Sequence, residues 1–474
     1  MDNYVFLLGG GLTVLLAALI LIQSKRTIFW TAFILVFVPI DYIKRYFFNI
    51  PTILRWLPVL TMVGFALLTF LVMTERKPQI SRAMKRTYFG ILAVSVISLI
   101  ANGTAVPALV VAQRGFIMIF AFMTMLKAVY FIYDKHQLFG YVVYAGLASS
   151  AAAMFQRVFF VMLQGRSGDM VAGLFPVDGI YLYFQLAVII IVLAYWLEGK
   201  EVITLLPNNV VLLIMMLSLA MGNNKAGFIF LGVVIAFVVQ IAGFKTVMRN
   251  FGKVFIGFAM VGLVAMIFNS FYNTTYEDSN EESFSDAMGN PEYIRRYIFG
   301  GKLKHQKFAP SGQLLRGASV EFAYNLVADD PVAFFIGLGP GATQHSNMPG
   351  AMGWLEARYP GYTIGRLSLG MYIAEIGLLG LFMQFAFLFA IYYWKPKDPL
   401  ADTKEFKLTR KAWVVMTLLY YTYENLYFEP VFALIIGVLV YPNILGARNL
   451  REAAQQELEA SDTPEEAEAE LVHI

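Results

Sequence analysis

The stretch Ile364-GRLSLGMYIAEIGLLGLFMQFAFLF-Ala390 has the composition of a membrane-spanning helix, yet it opens on Arg366 and carries Glu375 near its middle. About 20 apolar residues cross the hydrocarbon core as a helix. An ionisable side chain inside such a run is costly unless it has a partner or faces a wet cavity, which makes both residues candidates for function. They are nine residues apart, about 13 Å along a helix, and therefore not a direct pair. Glu375 is a candidate proton acceptor or structural partner for an arginine, and reads foremost as a helix-packing or gating residue.

Similar runs recur along the chain, at 4–22, 28–41, 52–73, 88–101, 105–133, 137–163, 179–197, 208–222, 226–244, 254–270, 364–394, 412–428 and 430–446. With 58% hydrophobic and 14% charged residues over 474 positions, the composition predicts an all-α polytopic membrane protein. Roughly 12–14 transmembrane helices are expected, with the short second and fourth runs open to a re-entrant reading. The first run has no basic stretch before it and no small-residue cleavage site after it, and it reads as a retained span.

Lys/Arg-rich connections at 74–87, 245–253 and 395–411 should face the cytoplasm. The long stretch 271–363 then lies outside. Four regions follow: membrane helices in 1–270, the external loop 271–363, further membrane helices in 364–446, and an acidic, solvated cytoplasmic tail 447–474. Within the loop, the pattern around 313–340 predicts an amphipathic helix stopped by Asp329-Asp330-Pro331, then an apolar strand or helix ending in Gly337-LGPG-Ala342.

The net charge of +4 is less informative than its distribution among the loops, and the absence of cysteine excludes thiol chemistry and disulfide staples. The four histidines, His136, His305, His345 and His473, match no metal-site spacing. No metal and no cofactor is expected. Arg166, Lys225, Arg316 and Arg366 fall at external helix ends, where they are suited to hold a phosphate or pyrophosphate, Arg by two-point hydrogen bonding and Lys as a point charge. The alternative is that each is a snorkelling interfacial cation. Four on the side opposite the basic loops favour a site. Arg55, Arg114 and Arg157 lie within apolar runs, as structural partners or substrate contacts. Glu321, Asp329, Asp330 and Asp178 are external carboxylates able to activate a hydroxyl, although Asp329-Asp330-Pro331 also serves as a plain helix stop. The glycines Gly337, Gly339 and Gly341 either form an anion-binding backbone nest or turn the chain. Glu424-NLYFE-Pro430 looks like a tag-protease site, but Glu429 stands where that site needs Gln. It reads as a native membrane-interface segment, with Tyr427 and Phe428 in an aromatic belt.

Taken in order, these stretches resemble the O-antigen polymerase and O-antigen ligase (Wzy/WaaL-like) superfamily over roughly residues 164–395. Arg166-SGDMVAGLFPVDGIYLYFQ is similar to the family's arginine followed by Gly-x-Phe, and Asn223-NKAG sits where Ser-Arg-Gly is usual. Arg316 through Gly341 resembles the loop helix ending in Gly-Leu-Gly-x-Gly, and Ala374-EIGLLGLF the Glu-x-Gly-x-x-Gly helix. Lys225 departs from the usual arginine, and Arg366 stands where ligases have a histidine, which favours a polymerase.

The resemblance implies a metal-independent glycosyltransferase of the bacterial inner membrane with a periplasmic loop. It would transfer undecaprenyl-pyrophosphate-linked oligosaccharide repeats in O-antigen, capsule or exopolysaccharide synthesis. Arg166, Arg316, Arg366 and Glu321 are then the expected catalytic residues. Lys225, Arg157, His345, Gly337, Gly339 and Gly341 are the expected substrate contacts. Membrane lipids, a chain-length regulator and a flippase are the expected partners, and no nucleic acid. The rivals are a ligase passing finished glycan to another acceptor, and a flippase, for which internal repeats and cations on both sides of a cavity would be expected.

Overall fold

The computed structural model describes residues 2–38, 43, 52–72, 81–104, 106–128, 133–164, 171–175, 177–222, 225–276, 314, 316–344, 352–396, 402–426 and 429–440. Among these the chain is helical, apart from turns and an isolated bridge at Leu314, whose N–H donates to the Tyr362 carbonyl at 3.4 Å. The helices are α1 Asp2–Leu21, α2 Lys25–Val36, α3 Leu57–Val72, α4 Arg82–Asn102, α5 Val106–Ala128, α6 Lys135–Gln156, α7 Asp178–Leu197, α8 Asn208–Met221 and α9 Lys225–Ala242. They continue with α10 Phe244–Arg249, α11 Phe251–Tyr276, α12 Arg316–Ala328, α13 Pro331–Ile336, α14 Trp354–Arg358, α15 Ser368–Tyr392, α16 Lys404–Tyr420 and α17 Pro430–Leu439.

Five helices among the described residues are long and apolar enough to cross a membrane: α4, α6 with its π-helical extension to Met162, α7, α11 over Phe251–Asn269, and α15. Counting α5, which bends by 49°, makes six. Five other apolar helices are shorter, at 10–17 residues. Among the described residues, the remainder of the expected 12–14 crossings would have to come from these short or bent pieces.

Two of the five show what the apolar residues face. The α7 span is 94% buried inside the protein, whereas the α11 span is 17% buried although it is equally hydropathic. A helix apolar on all sides is stable either within a core or in lipid. α7 is the central post, with α6, α8, α9 and α16 around it. Small residues permit that approach: a Cβ on Gly146 of α6 would meet Val188 of α7 and Met215 of α8. Some buried polar groups in the bundle pair across helices: Gln185 Nε2 donates to the Gly146 carbonyl at 3.1 Å and Ser218 Oγ to Ser150 Oγ at 3.0 Å.

The run quoted first is not one straight helix. Gly377, inside α15, has φ 63° and ψ −170°, a conformation outside the helical region that glycine tolerates. A Cβ on Gly377 would strike the Phe335 backbone, and one on Gly337 the Glu375 backbone. The break thus receives the end of α13. The Ala374 carbonyl, freed from the helix ladder, accepts from Leu338 N–H at 2.8 Å, and the Glu375 carbonyl from Ser98 Oγ at 3.1 Å. Tyr421 spans the elbow, its carbonyl accepting from Leu369 N–H at 3.2 Å and its hydroxyl from Gln384 Nε2 at 2.5 Å. A straight helix would separate those partners, 15 residues apart, by about 22 Å, so the bend is what lets one tyrosine reach both.

Helix ends sort into two groups. One holds Asn102, Gly179, Arg316, Ser368 and Tyr420, joined by Tyr420 Oη to the Gly179 carbonyl at 2.5 Å and Asn102 Nδ2 to the Gly337 carbonyl at 3.1 Å. The other holds Lys135, Tyr195, Lys200, Trp394, Arg410 and Leu439, joined by Lys135 Nζ to the Leu439 carbonyl at 2.9 Å and Lys200 Nζ to Glu405 at 2.7 Å.

Candidate functional site

The first group of ends gathers charge around the turn that follows α16. The α16 helix stops at Tyr420, eight residues before the expected 428, and the chain turns through 421–426. The α15 entrance holds this turn. Ser368 Oγ donates to the Glu424 carbonyl at 3.2 Å and accepts from Leu426 N–H at 3.0 Å, while Asn425 Nδ2 donates to the Gly365 carbonyl at 2.7 Å. This brings Glu424 near Arg366, the residue after Gly365, whose charge acts on the Glu424 carboxyl.

Arg316, at the first position of α12, lies over the Tyr423 ring at 4.2 Å and donates from Nε to the Tyr423 carbonyl at 3.3 Å. Its guanidinium is fixed by a cation–π contact and a hydrogen bond. Arg366 closes a short 3₁₀ turn, Ile364–Arg366, and its side chain is exposed. The Glu424 carboxylate fits against Gly179, where any Cβ would collide with it. Asp178, in the first turn of α7, adds a second carboxylate.

Burial pushes the Glu424 carboxyl up to about 7; Arg366, the Asn425 amide and Arg316 oppose this, and Asp178 adds to it. A carboxyl poised there exchanges a proton near neutral pH, as a general base must. The cluster can bind an anion through its arginines and take a proton from a hydroxyl.

The residues expected from the sequence are placed as follows. Arg316 and Arg366 are brought together around Glu424. Glu321 is exposed on α12, five residues from Arg316 and so about 140° round the helix. Arg157 is buried at the start of the π-helical turn Arg157–Met162, a local geometry frequent at functional sites. Beside it, Gln156 holds the 172–173 turn, accepting from Ala172 and Gly173 N–H at 2.9 and 2.8 Å. Lys225 begins α9, but its side chain is outside the described set. Arg166 and His345 lie outside the described residues.

Gly337, Gly339 and Gly341 have φ of 77°, 106° and 82°. Their segment turns the chain back onto α15, where Gly341 and Thr343 meet Glu375. Glu375 Oε2 accepts from Gly341 N–H at 2.8 Å, and Oε1 from Thr343 N–H at 3.1 Å and Thr343 Oγ1 at 2.6 Å. These donors are thus occupied by the protein's own carboxylate. Sequence reasoning passed over Glu424. Its signal was an acid between two apolar runs, masked by the interfacial aromatics that follow. Among the described residues, no three His, Asp or Glu side chains form a group that could hold a metal ion.

No family model matches this chain, and no curated protein or solved structure matches it either.

Proposed function

We propose that the protein is an inner-membrane polymerase that joins undecaprenyl-pyrophosphate-linked oligosaccharide repeat units outside the cytoplasm, in O-antigen, capsule or exopolysaccharide synthesis. The observation that carries this reading is the gathering of Arg316, Arg366 and the half-buried Glu424, whose carboxyl both arginines act on electrostatically, at one end of an apolar helix bundle. That end is opposite the one holding the basic segment near Arg410. An acceptor sugar hydroxyl attacks the anomeric carbon of the donor, its proton passes to Glu424, and the bond from that carbon to the pyrophosphate oxygen breaks. Polyprenyl pyrophosphate leaves with the bonding electrons, and the two guanidiniums offset the charge that builds on it. The 12–14 crossings, the periplasmic placement of 271–363 and the resemblance to the Wzy/WaaL-like superfamily belong to this same reading.

The break in α15 favours a second reading, because transporters place substrate sites at discontinuous membrane helices. Purified protein in proteoliposomes, supplied with one lipid-linked repeat unit and excess chelator, separates the two. A polymerase yields a ladder of longer saccharides and free polyprenyl pyrophosphate. Transbilayer movement of the unit without lengthening would establish the transporter, and dependence on added Mg²⁺ or Mn²⁺ would sink the metal-independent mechanism.

A further inference from the structure

The mechanism above leaves one buried carboxylate unused. Glu375 sits on the upper half of the broken helix α15, 4% exposed, and each of its oxygens is held by donors from the 341–343 turn. Two backbone N–H groups and a hydroxyl donate to its two oxygens, which ties the 341–343 turn to α15 at three points.

The turn it fixes touches the site. Gly365 lies against Thr343 so closely that a Cβ there would meet Thr343 Oγ1 and Cβ. Gly365 is also the residue whose carbonyl anchors Asn425, and it immediately precedes Arg366. A continuous chain of contacts therefore runs from Glu375 through Thr343 and Gly365 to Arg366 on one branch and to the Asn425–Glu424 turn on the other. The opposite side of the same turn is held by Leu338 N–H on the Ala374 carbonyl and Asn102 on the Gly337 carbonyl.

We infer that Glu375 is a positioning residue: by clamping Thr343 against Gly365 it sets the distance between Arg366 and Glu424. The inference rests on the reading of that pair as the reacting site, but the clamp can be tested without any saccharide. The chain contains no cysteine, so a pair introduced as Thr343→Cys and Gly365→Cys reports on the contact; it removes the Thr343 hydroxyl but keeps the Gly341 and Thr343 N–H donors to Glu375. The Cβ positions would be 3.1 Å apart, slightly under the usual separation of about 3.5–4.5 Å, so a small shift permits the bond.

With Glu375 present the pair should cross-link readily under oxidant. With Glu375→Gln, which sets an amide NH₂ against one of the donors, the rate should fall ~10-fold, within the range carried by coupled side chains. In the cysteine-free protein Glu375→Gln should slow turnover by ~10- to 30-fold, mostly in kcat. Its acid limb should move to higher pH, since Arg366 opposes protonation of Glu424 while Asp178 favours it and Arg316 adds a weaker opposing charge. Thr343→Ser should keep most activity and Thr343→Val should lose it. Formation of the 343–365 disulfide should restore turnover to Glu375→Gln, a rescue that a general loss of stability would not show. An unchanged cross-linking rate in Glu375→Gln, or lost turnover that the disulfide does not restore, overturns the inference. If the unaltered protein lengthens no lipid-linked saccharide, the functional reading fails, while the cross-linking rate still decides the clamp.

Discussion

The two ends of the helix bundle use the same residue types to opposite effect. At the end where α6 begins and α17 stops, Lys135 is buried, donates to the Leu439 carbonyl and lies 4.8 Å from the Phe406 ring and 5.4 Å from the Trp394 ring. Beside it Arg410, also buried, bonds Asp402 at 2.8 Å, and Lys200 bonds Glu405 at 2.7 Å. Those cations are consumed by the fold. At the other end Arg366 is exposed and Arg316 is fixed by Tyr423, with the half-buried Glu424 within electrostatic reach of both. Charge that the structure has already answered contributes stability or specificity of packing. Charge fixed in place yet left facing outward is available to a ligand.

The largest effect that would sharpen this contrast is at Glu424. If it is the base, turnover rises with pH through about 7, where the carboxyl loses its proton. Glu424→Gln should remove that limb and lower turnover by about 10²–10⁴-fold. A pH–rate profile of kcat/KM for both proteins checks it; a Gln variant that keeps the same acid limb assigns the proton transfer elsewhere.

At the closed end the expected loss is in stability instead. Lys135→Met leaves the Leu439 carbonyl without its donor and the neighbouring charges unbalanced, which should cost about 2–4 kcal/mol. The readout is a lower Tm in detergent with unchanged turnover per folded protein. Equal loss of turnover would break the distinction between the ends. The smallest effect is at Tyr423, where Tyr423→Leu removes the ring under Arg316 and should cost about 1 kcal/mol of transition-state stabilisation, or roughly fivefold in kcat/KM.

Much of the architecture was legible in the sequence because apolar runs of membrane length leave few alternatives. The helix ending near Asp329-Asp330-Pro331 was legible too: α12 stops at Ala328, and Asp330 caps α13 by accepting from Val332 N–H at 2.8 Å. The undecided strand or helix after it is the helix α13. The break at Gly377 was not legible, since EIGLLG reads as uninterrupted apolar helix and the conformation is imposed by a backbone 40 residues earlier in the chain, at Gly337. The same holds for Glu375. Its sequence context shows a costly acid in an apolar run, while its partners, Gly341 and Thr343, come from another element. Arg316 and Arg366 could be singled out individually by charge at helix ends, but their meeting at Glu424 depends on how α12, α15 and the turn after α16 pack.

The most direct test of the account compares one conservative change at each end. Arg366→Lys and Arg410→Lys both keep a positive charge and both lose the planar guanidinium. Polymer formed per folded protein is measured in proteoliposomes. If the exposed arginine holds pyrophosphate by two-point bonding, Arg366→Lys should slow elongation by about 30- to 1,000-fold, equivalent to about 2–4 kcal/mol. Arg410→Lys should lower Tm and leave turnover within about twofold of the unaltered protein, as expected for a residue remote from the chemistry. Near-normal elongation by Arg366→Lys, or an equal loss from Arg410→Lys, would contradict the assignment of the reaction to the Arg316–Arg366–Glu424 end.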